Sequence, residues 1–323
     1  MLLKHKLWYL IIGLLLFGTS CLALNTPNLN FDARQITFWW ACNWGGLIFL
    51  SEYITRLLRS KSLLSLLVRN KKNLLIFIAV STLGGLCVEG IGQWVGKLWF
   101  YPFFTIHQYK LATTLGFSLY MTTIAEVYIA AKSLVDRFLK PPRISRANTE
   151  LERAVYPKLL LVGVLMIASS FLLGYKQYQK VGGYFFDATR VVDFHVNFWI
   201  IIWAPVGVWL VAEYFEYKRR QMSLLKDLTR EYWNPALAIL LATVVVGVSM
   251  ELINQRYGYW VYVNWPLQQV KILNLPILMI CLAWPLHFIM FLSIFRAIAA
   301  ERSINVWSAY SPYFSNGSSK KNR

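Results

Sequence analysis

The chain has 323 residues, of which 57% are hydrophobic and only 15% charged. A water-soluble domain carries about a quarter charged residues, so this composition excludes an ordinary soluble protein and points to a membrane one. The net charge of +18 does not indicate nucleic acid, because the basic residues fall in short blocks between apolar runs, the positive-inside pattern of cytoplasmic loops.

The N-terminus has Lys4 and Lys6, then an apolar run from Leu7 to Phe17, then Gly18-Thr19-Ser20-Cys21. This resembles a signal peptide, but Gly18 stands where a lipoprotein cleavage site has Leu, and the expectation is a retained first helix. Eight apolar segments follow one another at 7–24, 36–58, 73–95, 110–131, 159–175, 194–217, 235–255 and 272–295. Basic linkers (Arg56 to Lys72, Lys132 to Lys158, Lys218 to Arg230, and the tail from Arg296) alternate with linkers rich in aromatics. The expectation is an all-α polytopic membrane protein of about eight transmembrane helices, in an inner membrane of bacterial type, with both termini and all basic linkers cytoplasmic. All four cysteines (Cys21, Cys42, Cys87, Cys281) lie in or beside apolar runs without a CxxC partner. They read as small buried hydrophobes, with no disulfide or zinc framework.

The two halves repeat each other. Glu52-Tyr53 continues to Arg59, Ser62, Leu63 and Leu64, and Glu213-Tyr214 continues to Arg220, Ser223, Leu224 and Leu225 at the same offsets. Phe31-Asp32-Ala33 matches Phe186-Asp187-Ala188. Four helices per half is an even number, so the copies run parallel, related by an axis along the membrane normal. The division is 1–140 for the first four-helix repeat, 141–158 for a basic linker seamed by Pro141-Pro142, 159–300 for the second repeat, and 301–323 for a polar tail.

The repeat culminates in one motif. Val88 to Tyr101 carries Glu89, Gln93, Gly96, Trp99 and Tyr101; Met250 to Tyr262 carries Glu251, Asn254, Gln255, Gly258, Trp260 and Tyr262. Glu leads Gln by four residues and Gly by seven in both, and a one-residue gap then aligns the Trp and the Tyr. A carboxyl group inside an apolar helix demands a reason. With amides at i+3 and i+4 on the same face, Glu89 and Glu251 are candidate proton donors, with Gln93, Asn254 and Gln255 orienting them. The plainer alternative is a structural hydrogen bond between helices. Glu126 and His287, 161 residues apart, are expected to pair across the interface between the halves, or else to be satisfied separately. Glu52, Glu213 and Glu216 lie near the cytoplasmic helix ends, with Arg56 four residues after Glu52 and Arg220 four after Glu216; they read as interfacial ion pairs or snorkelling side chains, or else as polar groups shared between the halves. The aromatics of the other linkers (Trp94, Trp99, Phe100, Tyr101, Phe103, Phe104; Tyr257, Tyr259, Trp260, Tyr262, Trp265) form either an interfacial belt or a lid over an apolar pocket whose ring faces would stabilise a carbocation.

These residues resemble a known family. The acid, then Gly, Trp and Tyr, then Leu-Pro (Glu251, Gly258, Trp260, Tyr262, Leu275, Pro276), with Trp203-Ala204-Pro205 on the preceding helix, is similar to the lycopene cyclase domain of carotenoid cyclases and related membrane hydratases. Where that family follows Leu-Pro with paired glutamates, this chain has Ile277-Leu278-Met279, and Thr114-Leu115-Gly116 in the first half. The resemblance implies an integral membrane enzyme acting by acid–base chemistry, without a cofactor, on an isoprenoid or carotenoid-like substrate. Glu89, Glu251, Glu126 and His287 would carry the chemistry; Trp99, Tyr101, Trp260 and Tyr262 would help bind the substrate. The partners expected are membrane lipid or isoprenoid, with a second copy or another membrane enzyme possible, and no nucleic acid or metal. The alternatives are a transporter or lipid-handling protein that binds a proton or cation at the same carboxylates, and a non-catalytic membrane subunit.

Overall fold

The computed structural model describes residues 2–25, 33–58, 62–102, 106–139, 149–181, 198–219 and 223–299. The Phe31-Asp32 and Phe186-Asp187-Ala188 matches, the Pro141-Pro142 seam, Phe103, Phe104 and the tail from 301 lie outside the described residues, as does the side chain of Trp94.

The fold is all-α. Its elements are α1 (Leu2–Asn25), α2 (Ala33–Leu58), α3 (Leu63–Arg69), α4 (Lys71–Glu89), a π-helical turn (Gly90–Val95), β1 (Trp99–Phe100), α5 (Ile106–Phe138), α6 (Thr149–Val181), α7 (Phe198–Lys218), α8 (Leu224–Thr229), α9 (Asn234–Tyr257), β2 (Val261–Tyr262), β3 (Lys271–Ile272), β4 (Leu275–Pro276), a second π-helical turn (Met279–Ala283) and α10 (Trp284–Ala299). Among the described residues, four helical stretches are long and apolar enough to cross a membrane: Lys71–Gln93, Glu152–Lys176, Asn234–Tyr257 and Met279–Ile298.

Three boundaries differ from the sequence expectation. Helix α5 outruns its apolar segment because Lys132 and Asp136, at i and i+4, pair at 2.7 Å on its polar end. Helix α6 begins at Thr149, inside the expected linker. The last helix does not begin at 272. Leu273 and Asn274 have φ of 51° and 61°, which turns the chain between β3 and β4. Pro276 disfavours helix at Leu275, so Leu-Pro lies in a strand and helix resumes at Ile277, just before the π-helical turn.

Two basic linkers also contain short helices, each capped by a serine. Ser62 accepts from Ser65 N at the start of α3, and Ser223 from Lys226 N at the start of α8. Leu63, Leu67 and Leu224 bury against the bundle. Buried carboxylates surround these caps. Glu52 accepts from Ser62 Oγ at 2.5 Å and from Arg56 Nε at 2.5 Å, as expected of Glu52 and Arg56. Glu213 accepts from Leu225 N at 3.1 Å and Trp209 Nε1 at 2.8 Å. Glu216 pairs with Arg296 at 3.0 Å; its expected neighbour, Arg220, lies outside the described residues.

The centre of the bundle is α4, α5, α9 and α10, whose apolar side chains, such as Phe77, Met121, Ile124, Val246, Phe288 and Phe291, are fully buried. Helix α6 lies outside. Only 17% of its apolar span is buried, against 50% for α9, and Leu161, Leu165 and Leu172 face outward. It docks on α7 where Gly163 meets Gly207: a Cβ on either would lie within 2.7 Å of the other's carbonyl oxygen. Gly46 of α2 meets Phe17 of α1 as closely. Small residues let helices approach without a driving force from water.

Candidate functional site

Glu89 ends α4 and Glu251 lies two turns from the end of α9. Both are buried, at 2% and 1% exposure. The aromatic linkers fold back over them as β1 and β2, which pair antiparallel with Trp99 opposite Tyr262 and Phe100 opposite Val261. Val263 N donates to Leu98 O at 3.0 Å, and Trp265 Nε1 to the same oxygen at 2.8 Å. Tyr101 Oη donates to Glu89 at 2.5 Å, and Trp99 Nε1 lies 3.4 Å from its other oxygen. Glu251 accepts from Tyr262 Oη, from Trp260 Nε1 at 3.3 Å and from Asn254 Nδ2 at 3.1 Å. Burial and the adjacent carboxylate push the Tyr262 phenol well above its ordinary pKa, so it stays a proton donor to Glu251.

Their backbone hydrogen bonds align the two stretches differently from the sequence. The first has one residue more between Glu and Tyr, and the π-helical turn Gly90–Val95 absorbs it, because an i→i+5 ring holds one residue more than an α ring; Gly96 N bonds Ile91 O at 3.0 Å. Beyond that turn, Gln93 corresponds to Asn254 and Lys97 to Gly258. Lys97 N bonds Gln93 O at 3.1 Å, as Gly258 N bonds Asn254 O at 2.7 Å. Both cap residues are left-handed, with φ of 49° and 61°. Gly96 itself is right-handed. This explains why Gln93 is buried, at 1% exposure, while Gln255 is not. The expected orienting role of Gln255 is therefore corrected: it is exposed and donates to Leu273 O, away from Glu251. Asn254 takes that role and also brackets the Trp260 backbone, accepting from its N–H at 3.0 Å and donating to its carbonyl at 3.1 Å.

Beneath the strand pair lies a cavity of about 210 Å³. Its wall includes Glu89, Trp99 and Tyr101 from the first stretch and Trp260 and Tyr262 from the second; Glu251 stands one layer behind them. Trp40 and Trp44 of α2, Tyr120 of α5, and Ile201 and Pro205 of α7 complete much of the wall. Both π-helical turns border it, through Ile91 and Gly92 and through Met279 and Ala283. Gly92 is required there: a Cβ would sit 1.8 Å from the Trp99 ring. Burial pushes Tyr259, whose hydroxyl lies 3.4 Å from Thr37 Oγ1, up to about 12.

Glu126 and His287 do not pair. Glu126 accepts from Leu64 N at 2.8 Å, caps α3, and is absent from the cavity wall. His287 lines the cavity beside Tyr120, ring centroids 5.5 Å apart, and its buried Nε2 has no hydrogen-bond partner among the described residues. Helix α3 presents an N–H to Glu126, whereas the matching N–H of Leu225 is already taken by Glu213. Among the wall residues that sequence reading missed are Trp40, Trp44, Tyr120 and Trp284. The i, i+4 spacing of Trp40 and Trp44 marks one helix face but does not tell a cavity wall from ordinary core. Among the described residues no three His, Cys, Asp or Glu side chains converge as a metal set.

Neither the protein-family models, nor the curated proteins, nor the solved structures include a match to this chain.

Proposed function

We propose that the chain is an eight-helix integral membrane enzyme, built from two parallel four-helix repeats, that isomerises or cyclises an apolar isoprenoid-like substrate by acid–base chemistry. The register of β1 and β2 supports the repeat. With Trp99, Phe100 and Tyr101 equivalent to Trp260, Val261 and Tyr262, a two-fold axis between Phe100 and Val261 maps that pair onto itself and keeps the register of the ladder. The serine caps at Ser62 and Ser223 and the close glycine contacts at Gly46 and Gly207 are further pairs 161 residues apart. The remaining long helices, including α2 with 26 residues and α5 with 33, reach across about 30 Å of hydrocarbon at 1.5 Å per residue.

The observation that carries the chemistry is Glu89 in the wall of an aromatic cavity, hydrogen-bonded to Tyr101. The wall is hydrocarbon and ring apart from a few polar groups, which suits an apolar substrate better than a hydrated ion. One carboxyl group, through its tyrosine, gives a proton to a double-bond carbon. The cation so formed faces indole and phenol rings. After rearrangement it loses a proton to His287 Nε2, and transfer of that proton back to the carboxylate closes the cycle, so atoms balance without a further reactant. Glu126, away from the cavity, has only a structural role in this scheme.

Lipid extracted from the purified protein, read by absorbance and mass, should contain an isoprenoid, and membranes should convert it. Glu89→Gln and Glu251→Gln keep shape and most hydrogen bonds, and should abolish conversion while thermal stability in detergent changes little. Recovery of bulk phospholipid alone, with both variants indistinguishable from wild type, would overturn the proposal.

A further inference from the structure

The cavity is unequal across its proposed two-fold axis. Four aromatic positions of one side have aliphatic or thiol counterparts on the other: Trp40 against Ile201, Trp44 against Pro205, Tyr120 against Cys281, and Tyr259 against Leu98. All but Cys281 line the cavity. The aromatic members form a continuous wall. Trp40 lies 5.0 Å from Trp260, 5.4 Å from Trp44 and 5.8 Å from Tyr259, and Trp44 lies 5.4 Å from Tyr120. Behind it stands Glu251, whose three hydrogen-bond donors (phenol, indole and amide) are all neutral. Among the described residues no Lys or Arg lines the cavity. Ring faces are negative, and a carboxylate behind them adds to the same field in a water-poor space.

We infer that the Glu251 side of the cavity binds a desolvated cation without hydrogen-bond donors, as the head of a ligand whose aliphatic tail runs past Ile201, Pro205 and Met290. The chemistry fits a carbocation formed on the substrate or a stable quaternary ammonium or sulfonium head. Rings satisfy such a charge from all sides where water is excluded. This rests on the proposed function for the carbocation, and it deepens that reading by orienting the substrate. The reacting end lies at Trp40, Trp260 and His287, on the side of Glu251 and Tyr262.

The test uses the full chain in a neutral maltoside detergent. The probes are dodecyltrimethylammonium and its uncharged carbon isostere, the dodecyl chain ended by a tert-butyl group. Tryptophan fluorescence and thermal unfolding read binding. The ammonium should bind at least about tenfold more tightly, the factor that about 1.4 kcal/mol of cation–π attraction gives. Trp44→Leu should erase that preference and Trp44→Phe should restore part of it. Ile201→Ala should alter affinity for both probes alike. If Trp44→Leu does not fold, Tyr120→Leu serves the same comparison. Equal affinity of wild type for both probes, or a preference that survives both leucine variants, overturns the inference. The two proposals fail separately. Bound isoprenoid without ammonium preference removes only the orientation; ammonium preference without bound isoprenoid or conversion removes only the enzymatic reading and leaves a site for stable cations.

Discussion

The Glu89 and Glu251 stretches share residue types and fold back onto the same strand pair, yet they hold their carboxylates by different means. Around Glu251 the helix stays α to Tyr257, Gly258 caps it in the left-handed region, and Asn254 fixes Trp260 by both backbone groups. Around Glu89 the helix loosens into a π turn, the left-handed cap is a buried lysine, and Trp99 is seated by the absence of a side chain at Gly92. One inserted residue accounts for the first difference. Both stretches hold the carboxyl group by a phenol and an indole donor; the Glu251 stretch adds the Asn254 amide, and the Glu89 stretch seats its indole against Gly92. Two stretches of like composition can thus keep a geometry while differing in the interactions that support it, and Lys97, left-handed without being Gly, marks where the difference leaves strain.

This comparison can be broken by substitution, beginning with the carboxylates. Glu251→Leu leaves Tyr262, Trp260 and Asn254 donors unsatisfied and should destabilise by about 3–5 kcal/mol. Glu89→Leu strands the Tyr101 and Trp99 donors and should lose less, about 2–3 kcal/mol. Chemical or thermal unfolding in detergent checks the order, and a larger loss at Glu89 would contradict it. Next, Gly92→Ala should destabilise by about 1–3 kcal/mol through displacement of Trp99, with loss of the Trp99 contribution to fluorescence. An unchanged spectrum and midpoint would show that Trp99 is not seated by shape.

The caps should respond in opposite directions. Gly258→Ala forces an L side chain into the left-handed region and should lose about 1 kcal/mol, while Lys97→Gly should gain about as much, provided its buried side chain contributes little to packing. A loss of stability in Lys97→Gly would show that the lysine supports the fold. A separate effect concerns pH. Burial lowers Lys97 to about 8, below the usual ammonium range. Above about pH 8 the folded chain releases this proton while the unfolded chain still binds it, so stability should rise with pH until the unfolded lysine also titrates. Lys97→Met should flatten that slope in a melting series from pH 7 to 10, and a slope equal to wild type would assign it elsewhere.

The main helices, the likeness of the two aromatic stretches and the burial of Glu89 and Glu251 were legible in the sequence alone, because apolar run length and repeated spacing are local properties. Trp99, Tyr101, Trp260 and Tyr262 were legible as a group for the same reason. The alignment of Gly96 with Gly258 and of Gln93 with Gln255 was misleading, since a one-residue insertion can be absorbed anywhere along a helix and only backbone hydrogen bonds locate it. Likewise, 161-residue spacing suggested that Glu126 and His287 meet. Tertiary packing gave Glu126 to the α3 cap and His287 to the cavity, since a buried carboxylate is satisfied by whichever N–H its neighbours leave open. Trp40, Trp44 and Tyr120 became a cavity wall only when α2 and α5 packed beside the strand pair. Composition and spacing therefore determined that this chain carries helices long and apolar enough to cross a membrane, with two carboxylates near their ends, and three-dimensional packing decided which side chains surround those carboxylates.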